Sequence, residues 1–543
     1  LRFVAAPIVV VALAAGSTLV AAGYAATWEE SFERTAALRA GADLSIRAGA
    51  AGISAPAIDE VAALPGVTAL AAVHDENLQI GSENGSILAA SPDAVAELAL
   101  SGDAFDGPAI AEAMRGEVPG PVLPAEAGEA TLTVEVSGFG VIPTIALQVS
   151  DAAGVLRSVP LEARRAPGTP APEQPAGAPG ATLLEYIGSL PPAPAVQGSA
   201  RVLAIDIEIA GDAIADDESA RFRLMGLTAQ ADGEQSDIPI DWYWIPESPG
   251  FAFSWPTANN AGDGFSAAGD TRTVRMVPSF TDDPGDEAVP PIVVSRRLAD
   301  RFDIGVGDLI TFPLENGRGR ISAPVTAIAP VIPGAQDSSA VLLDIGLIQH
   351  YILRVAMDQP RTGRLWLGTG DADRVIEEAR PLLPANTRMI PADDEAGRTA
   401  LSSAATALWV GALGCVVLAV IAVAAAVRVS SRERRDDVHV LRALGLRARQ
   451  QAAIRRTELG TVLGYGLIVG IVAGIAVVLV AVPPLARAAV PDPFPTVPTE
   501  VALDLLGGIA LLAVLAAALT AVVVLAGAAV AAAARDARTA DRA

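Results

Sequence analysis

Four uncharged apolar runs, at residues 3–26, 404–427, 459–482 and 505–534, decide the solvent in which this chain can fold. Each has at least the roughly 20 apolar residues a helix needs to cross a ~30 Å hydrocarbon layer. In lipid the backbone must satisfy its own hydrogen bonds, so each run is expected as a membrane-spanning helix. A cleaved leader is the competing reading of the first run. No small-residue cleavage signal stands before "TWEESFERTAALRAGADL", and the run is long for a leader, so a span is expected there too.

Charge sets the orientation. Residues 27–402 hold 53 Asp plus Glu against 24 Arg, a net of −29, whereas the rest of the chain holds 9 acids against 14 Arg, a net of +5. Arg428, Arg432, Arg434, Arg435, Arg442, Arg447, Arg449, Arg455 and Arg456 crowd the segment between the second and third runs, and Arg535, Arg538 and Arg542 the tail. Arginines beside spans remain in the cytoplasm. The start of the chain is then cytoplasmic as well, and residues 27–402 and the Pro-rich loop at 483–504 lie outside a cell membrane. A lysine-free, Ala- and Arg-rich composition points to a bacterial source. The missing lysine also excludes a P-loop ATPase, whose Lys must reach the phosphates. Cys415 is the single cysteine, so no disulfide can staple the outer region and its own core must hold it.

The expected architecture is a polytopic α-helical membrane protein carrying a large extracytoplasmic α+β domain with an inserted antiparallel β-sandwich. The spans are placed at 1–26, 404–427, 459–482 and 505–534, with a cytoplasmic coupling segment at 428–458, an outer loop at 483–504 and a tail at 535–543. Residues 27–130 start with a stalk helix and then alternate strand and helix, for example "APAIDEVAALPGV" followed by "TALAAVHDENLQI". From 131 to 287 short β-rich runs such as "TLTVEVSG" and "ARVLAIDIEIAG" stand between turn residues, the pattern of a sandwich. Residues 288–403 return to the first style and close with a second stalk helix, so the sandwich reads as an insertion into one lobe.

Candidate chemistry is sparse. Three histidines, His74, His350 and His439, offer no zinc motif, and "VHDENLQ" alternates its ligand-type side chains across a strand. The acidic loops "NNAGDG" (259–264) and "DDPGDE" (282–287) lack the spacing of an EF-hand and read as solvated turns. No catalytic residue, metal or cofactor is expected, and no nucleic-acid partner. In the third run Gly460 and Gly464, then Gly466, Gly470 and Gly474, recur at four-residue intervals, which places small residues on stripes where another helix can approach.

The arginine-rich segment carries more than orientation. Val438, Leu441 and Leu444 form one apolar stripe of a short helix, Arg442 lies among them, and Gly445 follows where a left-handed residue would stop it. "VHVLRALGLRARQQAAIRRTELG", a Gly-rich span and a Pro-containing outer loop resemble the FtsX/MacB-type ABC permease family, in which E-x-x-x-L-R-A-L-G precedes the third span. "IVVSRRLADRFDIGVGDLITF" is similar to the second part of that family's extracytoplasmic core domain. This chain departs from the pattern with Asp436 and Asp437 ahead of the stripe. The resemblance implies a subunit without catalysis of its own, paired with a separate nucleotide-binding ATPase and with a second permease copy or homologous half. It also implies that ATP-driven closure is relayed through the stalk to the outer domain for export, extraction or signalling. Val438, Leu441, Arg442, Leu444 and Gly445 are then the expected contacts to the ATPase. Two competing readings are a membrane-anchored surface protein with a carbohydrate-binding sandwich, and a sensor for antimicrobial peptides attracted by the acidic outer region.

Overall fold

The computed structural model describes residues 2–49, 52–80, 83–100, 105–124, 126–165, 181–190, 200–210, 214, 219–231, 233–240, 242–247, 264–268, 272–280, 290–313, 320–355, 361–433, 448–491, 494, 496–540. They form two compact units. One holds residues 1–35, 394–493 and 498–543; the other holds 36–393 and 494–497.

In the first unit four helices are long and apolar enough to cross a membrane: α1 (Arg2–Ala40), α9 (Ser403–Glu433), α10 (Ala448–Ala489) and α11 (Leu505–Ala540). A short helix, α8 (Glu395–Leu401), precedes α9. At 1.5 Å per residue the 39 residues of α1 rise about 58 Å, well beyond one hydrocarbon layer. Val11, Ala14 and Ala15 of α1 are buried with Val416, Ala419, Leu463, Leu515 and Leu519. Val410, Leu418, Ile421, Val480 and Leu506 are exposed, the outward apolar surface that suits lipid and not water.

The second unit contains two sheets. Nine strands lie in the order β16-β17-β15-β18-β3-β2-β19-β1-β20: β1 (Leu44–Arg47), β2 (Val67–Ile80), β3 (Glu83–Ala90), β15 (Ile292–Ser295), β16 (Leu309–Pro313), β17 (Arg320–Ala329), β18 (Ala340–Asp344), β19 (Arg364–Thr369) and β20 (Arg388–Pro391). β15–β17 and β18–β3 pair in parallel, and the other neighbours antiparallel. Both faces are covered, which is why the strands read as unbroken apolar runs. Ile87, Val294, Val341, Leu365 and Leu367 enter one core with α2 (Ala55–Ala62), α5 (Arg296–Phe302), α6 (Ile345–Val355) and α7 (Ala372–Ala379). Their neighbours Leu88, Val293, Leu342 and Trp366 enter the opposite core with α3 (Pro92–Glu97) and α4 (Gly107–Met114). The period-two alternation of a strand sorts them.

The second sheet lies between α4 and β15 in the chain. Its eleven strands are β4 (Val122–Leu123), β5 (Ala127–Ser137), β6 (Thr144–Ser150), β7 (Leu156–Arg165), β8 (Thr182–Ser189), β9 (Ala200–Glu208), β10 (Ser219–Ala231), β11 (Glu234–Ile238), β12 (Tyr243–Glu247), β13 (Gly264–Ala268) and β14 (Thr273–Ser279), all paired antiparallel. β7 changes partner along its length: Leu156–Leu161 pair with β6, and Glu162–Arg165 with β8. One core therefore collects Leu132, Val134, Tyr186 and Phe222 from one half of the path and Ile145, Leu147, Ile205 and Met276 from the other. The strands expected as a sandwich thus lie on one strand path and share one core.

α6 belongs to both sheets' surroundings. Leu353 is buried with Leu203, Ala204 and Val277; Gln349 accepts from Ser150 Oγ at 2.8 Å and donates to the Gly154 carbonyl at 2.7 Å; His350 Nε2 donates to the Pro278 carbonyl at 2.7 Å. Asp59 of α2 takes Arg157 of β7 in a two-pronged pair at 2.7 and 2.9 Å.

Candidate functional site

The last turn of α1 ends inside the second unit, in a socket built from β19 and the loop before β18. Gly334 N donates to the Leu38 carbonyl at 2.6 Å. Arg364, the first residue of β19, is fully buried and sends its guanidinium to the carbonyls of Arg39 at 3.2 Å and Ala40 at 3.0 Å, to the Gly334 carbonyl and to Ser45 Oγ at 2.7 Å. Orphan carbonyls at a helix C-terminus, where the macrodipole is negative, are a natural seat for a cation. Asp75 supplies the countercharge, 3.5 Å from Arg364 and 2.8 Å from Arg47. Burial and the neighbouring Arg47 lower the Arg364 pKa to about 10, so it remains charged at neutral pH. Gly41, just past the helix, has φ +82°, and a Cβ there would lie 2.9 Å from the Gly334 backbone. A side chain at 41 would push α1 out of the socket.

The chain leaves this unit beside the place where it enters. β1 follows α1 and lies between β19, which carries Arg364, and β20, the last strand before α8. Ala392 N donates to the Asp43 carbonyl at 2.9 Å, tying the two crossings together. Asp394 then caps α8 by accepting from Gly397 N at 2.8 Å. In the first unit Arg398 of α8 meets Glu33 of α1 at 2.5 Å and Glu29 at 3.9 Å.

Of the glycine stripes, Gly466, Gly470 and Gly474 face α1. A Cβ at Gly466 would lie 3.0 Å from the Ile8 carbonyl, at Gly470 2.4 Å from the Ala12 carbonyl and at Gly474 3.1 Å from Gly16 Cα. Gly460 and Gly464 have open space instead. At the other end of the bundle Arg455 of α10 donates to Ser430 Oγ of α9 at 2.8 Å and pairs with Glu458 at 2.9 Å. Residues 409–532, covering α10 and most of α9 and α11, match the family model described as FtsX-like permease C-terminal. That stretch is similar to the C-terminal domain of FtsX-like permeases. No curated protein matches the chain.

Val438, Leu441, Arg442, Leu444 and Gly445, expected from the sequence as contacts to an ATPase, lie outside the described residues, as do the 282–287 acidic loop and most of the 259–264 one. His74 bonds Glu76 at 3.2 Å on one side of β2 while Asp75 points to the socket on the other, as strand alternation requires. Among the described residues no group of His, Cys, Asp and Glu could hold a metal. Sequence reasoning did not single out Arg364, Asp75 or Asp59. The available signal was an arginine opening "RLWLGT", a run that is otherwise apolar until its last two residues.

Proposed function

We propose that this chain is the membrane subunit of an FtsX/MacB-type ABC transporter, multi-pass in a bacterial cell membrane. A separate ATPase drives its spans, and the motion reaches the extracytoplasmic domain through α1 and the α8–α9 entry. The observation that carries this reading is the Arg364 socket in a chain that also holds an FtsX-like stretch: a span that only anchored a surface protein needs no buried cation on its last carbonyls. The seam between β1, β19 and β20 lets two helix entries act on neighbouring strands. The eleven-stranded module is then an insertion that meets the substrate or target, and a second permease copy or homologous half completes the membrane part.

The test is purification in mild detergent from the native cell. A nucleotide-binding subunit should accompany the wild type and be lost from a Leu441→Asp/Leu444→Asp variant, whose added charges would have to be buried unpaired in the contact. Arg434→Gln/Arg435→Gln should retain it, because juxtamembrane arginines mainly meet lipid headgroups. Orientation is checked in a Cys415→Ala background: cysteine at Ser31 should label in intact cells and cysteine at Ser431 only after permeabilisation. Absence of any ATPase from the wild-type preparation would return the protein to the anchored surface-binding class.

A further inference from the structure

In the second unit β7 changes partner between Leu161 and Glu162, and the change leaves one of its edges open. Leu156–Leu161 pair with β6 on one side, while β8 takes the other side only from Glu162 onward. A Cβ at Gly188 would lie 2.9 Å from the Pro160 carbonyl oxygen, so β8 still runs beside β7 there. Leu190 N then donates to the Gly128 carbonyl at 2.9 Å, which keeps the end of β8 with β5 after its ladder with β7 has ceased.

The open edge presents backbone. Pro160 stands opposite Ala146 of β6 and has no N–H to give that ladder. Successive residues of an antiparallel strand turn their N–H and C=O to opposite edges, so Leu156 and Ser158 share the outward direction of Pro160. Glu162 and Arg164 continue the series and meet β8 at Ile187 and Glu185. Ser158 is exposed; its hydroxyl accepts from Gln148 Nε2 at 3.1 Å, but its N–H has no backbone partner among the described residues. This edge forms one side of a cleft of about 1170 Å³, lined also by residues 52–57, Thr362, Leu382, Pro384 and Ser189. Small-molecule sites hold roughly 300–1,000 Å³, so the cleft has room for several residues of chain. Among the described residues no aromatic side chain lines it, so a sugar has no ring to stack on. Both arginines in the lining, Arg157 and Arg361, already have partners, Asp59 and Asp151 in the case of Arg157. What remains is unpaired strand beside aliphatic Ile53, Val159 and Leu190.

We propose that the Leu156–Pro160 edge docks an extended segment of a partner protein, added as a strand in the lane beside β7 that β8 occupies further along. The added backbone exchanges bonds with Leu156 and Ser158, donates to the Pro160 carbonyl and so continues an existing ladder. An uncharged segment with aliphatic side chains at alternate positions fits the lining. This rests on the reading above only in giving the module a target to meet, and it needs no ATPase.

Hydrogen exchange resolved to single amides, on the full-length protein in detergent, tests this. Without peptide, the Ser158 amide should exchange at least tenfold faster than those of Arg157 and Val159, which face β6 and report that the module is folded. A Ser189→Cys variant in a Cys415→Ala background is then joined by a disulfide to the peptide amide Cys-Gly-Gly-Val-Thr-Val-Thr, which holds the probe at about millimolar effective concentration. Exchange at Ser158 should slow at least tenfold, and the same peptide N-methylated throughout should leave it unchanged. A Ser158 amide already protected without peptide means that this chain fills the lane itself, the 191–199 segment included, and overturns the proposal. So does a tethered peptide that leaves Ser158 fast while Arg157 and Val159 remain protected, or an N-methylated peptide that protects as well. None of these outcomes touches the ATPase-driven reading, which the purification above decides.

Discussion

Arg364 donates to the carbonyl oxygen of Ala40 at 3.0 Å, so a side chain of β19 closes the last turn of α1. Removing the guanidinium strands several partners at once, since Asp75 loses a cation and the carbonyls of Arg39 and Ala40 a donor. Arg364→Met should therefore destabilise the second unit by about 3–5 kcal/mol, the usual cost of breaking one side of a buried pair. Arg364→Lys should restore only part of this, because a point charge cannot fork to carbonyls and Ser45 together. Thermal unfolding of the full-length protein in detergent, followed by tryptophan fluorescence, is the measurement. A methionine variant as stable as the lysine variant would sink the argument.

Two buried groups around α6 should give the second unit opposing responses to acid. Burial lifts the Asp344 carboxyl to about 7 and pushes the His350 imidazole down to about 4. Folded Asp344 retains a proton that the unfolded chain releases near pH 4, so its stabilisation is full in acid and is lost as pH rises towards 7. Folded His350 refuses a proton that the unfolded chain takes near pH 6.5, so its contribution is full above 6.5 and is lost as pH falls towards 4. Each slope is on the order of 1.4 kcal/mol per pH unit, and between pH 4 and 6.5 they offset one another. Relative to wild type, Asp344→Asn should make the domain melt earlier as pH falls from 6.5 to 4.5, and His350→Gln should make it melt earlier as pH rises from 4.5 to 7. Melting curves for both variants that parallel wild type would show that neither group titrates as placed.

How far the sequence could be read depended on whether the relevant physics is local. Hydrophobic length marked the four helices, and turn spacing marked the β-rich stretch, because both are properties of contiguous residues. Strand alternation even separated His74 from Asp75. The socket could not be read, since Arg364 lies 289 residues from Asp75 and 324 from Ala40 and only strand order brings them together. Gly466 and Gly460 look alike in sequence and differ only in whether α1 lies opposite.

The pairing of α6 with the eleven-stranded sheet bears on whether that module can be removed. On sequence pattern alone an insertion is dispensable, yet deleting residues 124–280 would expose Leu353 and leave Gln349 and His350 without their partners. A lobe with a Gly/Ser linker in their place should be inserted in the membrane but melt well below the intact protein. Adding Leu353→Ser and His350→Ser should recover part of the loss, because an exposed apolar face drives aggregation. Full stability of the simple deletion would mean that α6 does not depend on the module.

Gly470 and Gly464, on the same helix, should respond oppositely to the same change. A methyl group at 470 would lie 2.4 Å from the Ala12 carbonyl, and helix backbone cannot swing aside as a side chain could, so α1 and α10 must separate. Overpacking of this kind costs about 1–3 kcal/mol. At 464 nothing lies within 4 Å, and alanine there gains up to ~1 kcal/mol of helix propensity. Unfolding of the full-length protein in mixed detergent and SDS should show a lowered midpoint for Gly470→Ala and an unchanged or raised one for Gly464→Ala. If the two midpoints shift together, α10 does not present the 466–470–474 stripe to α1 in the membrane.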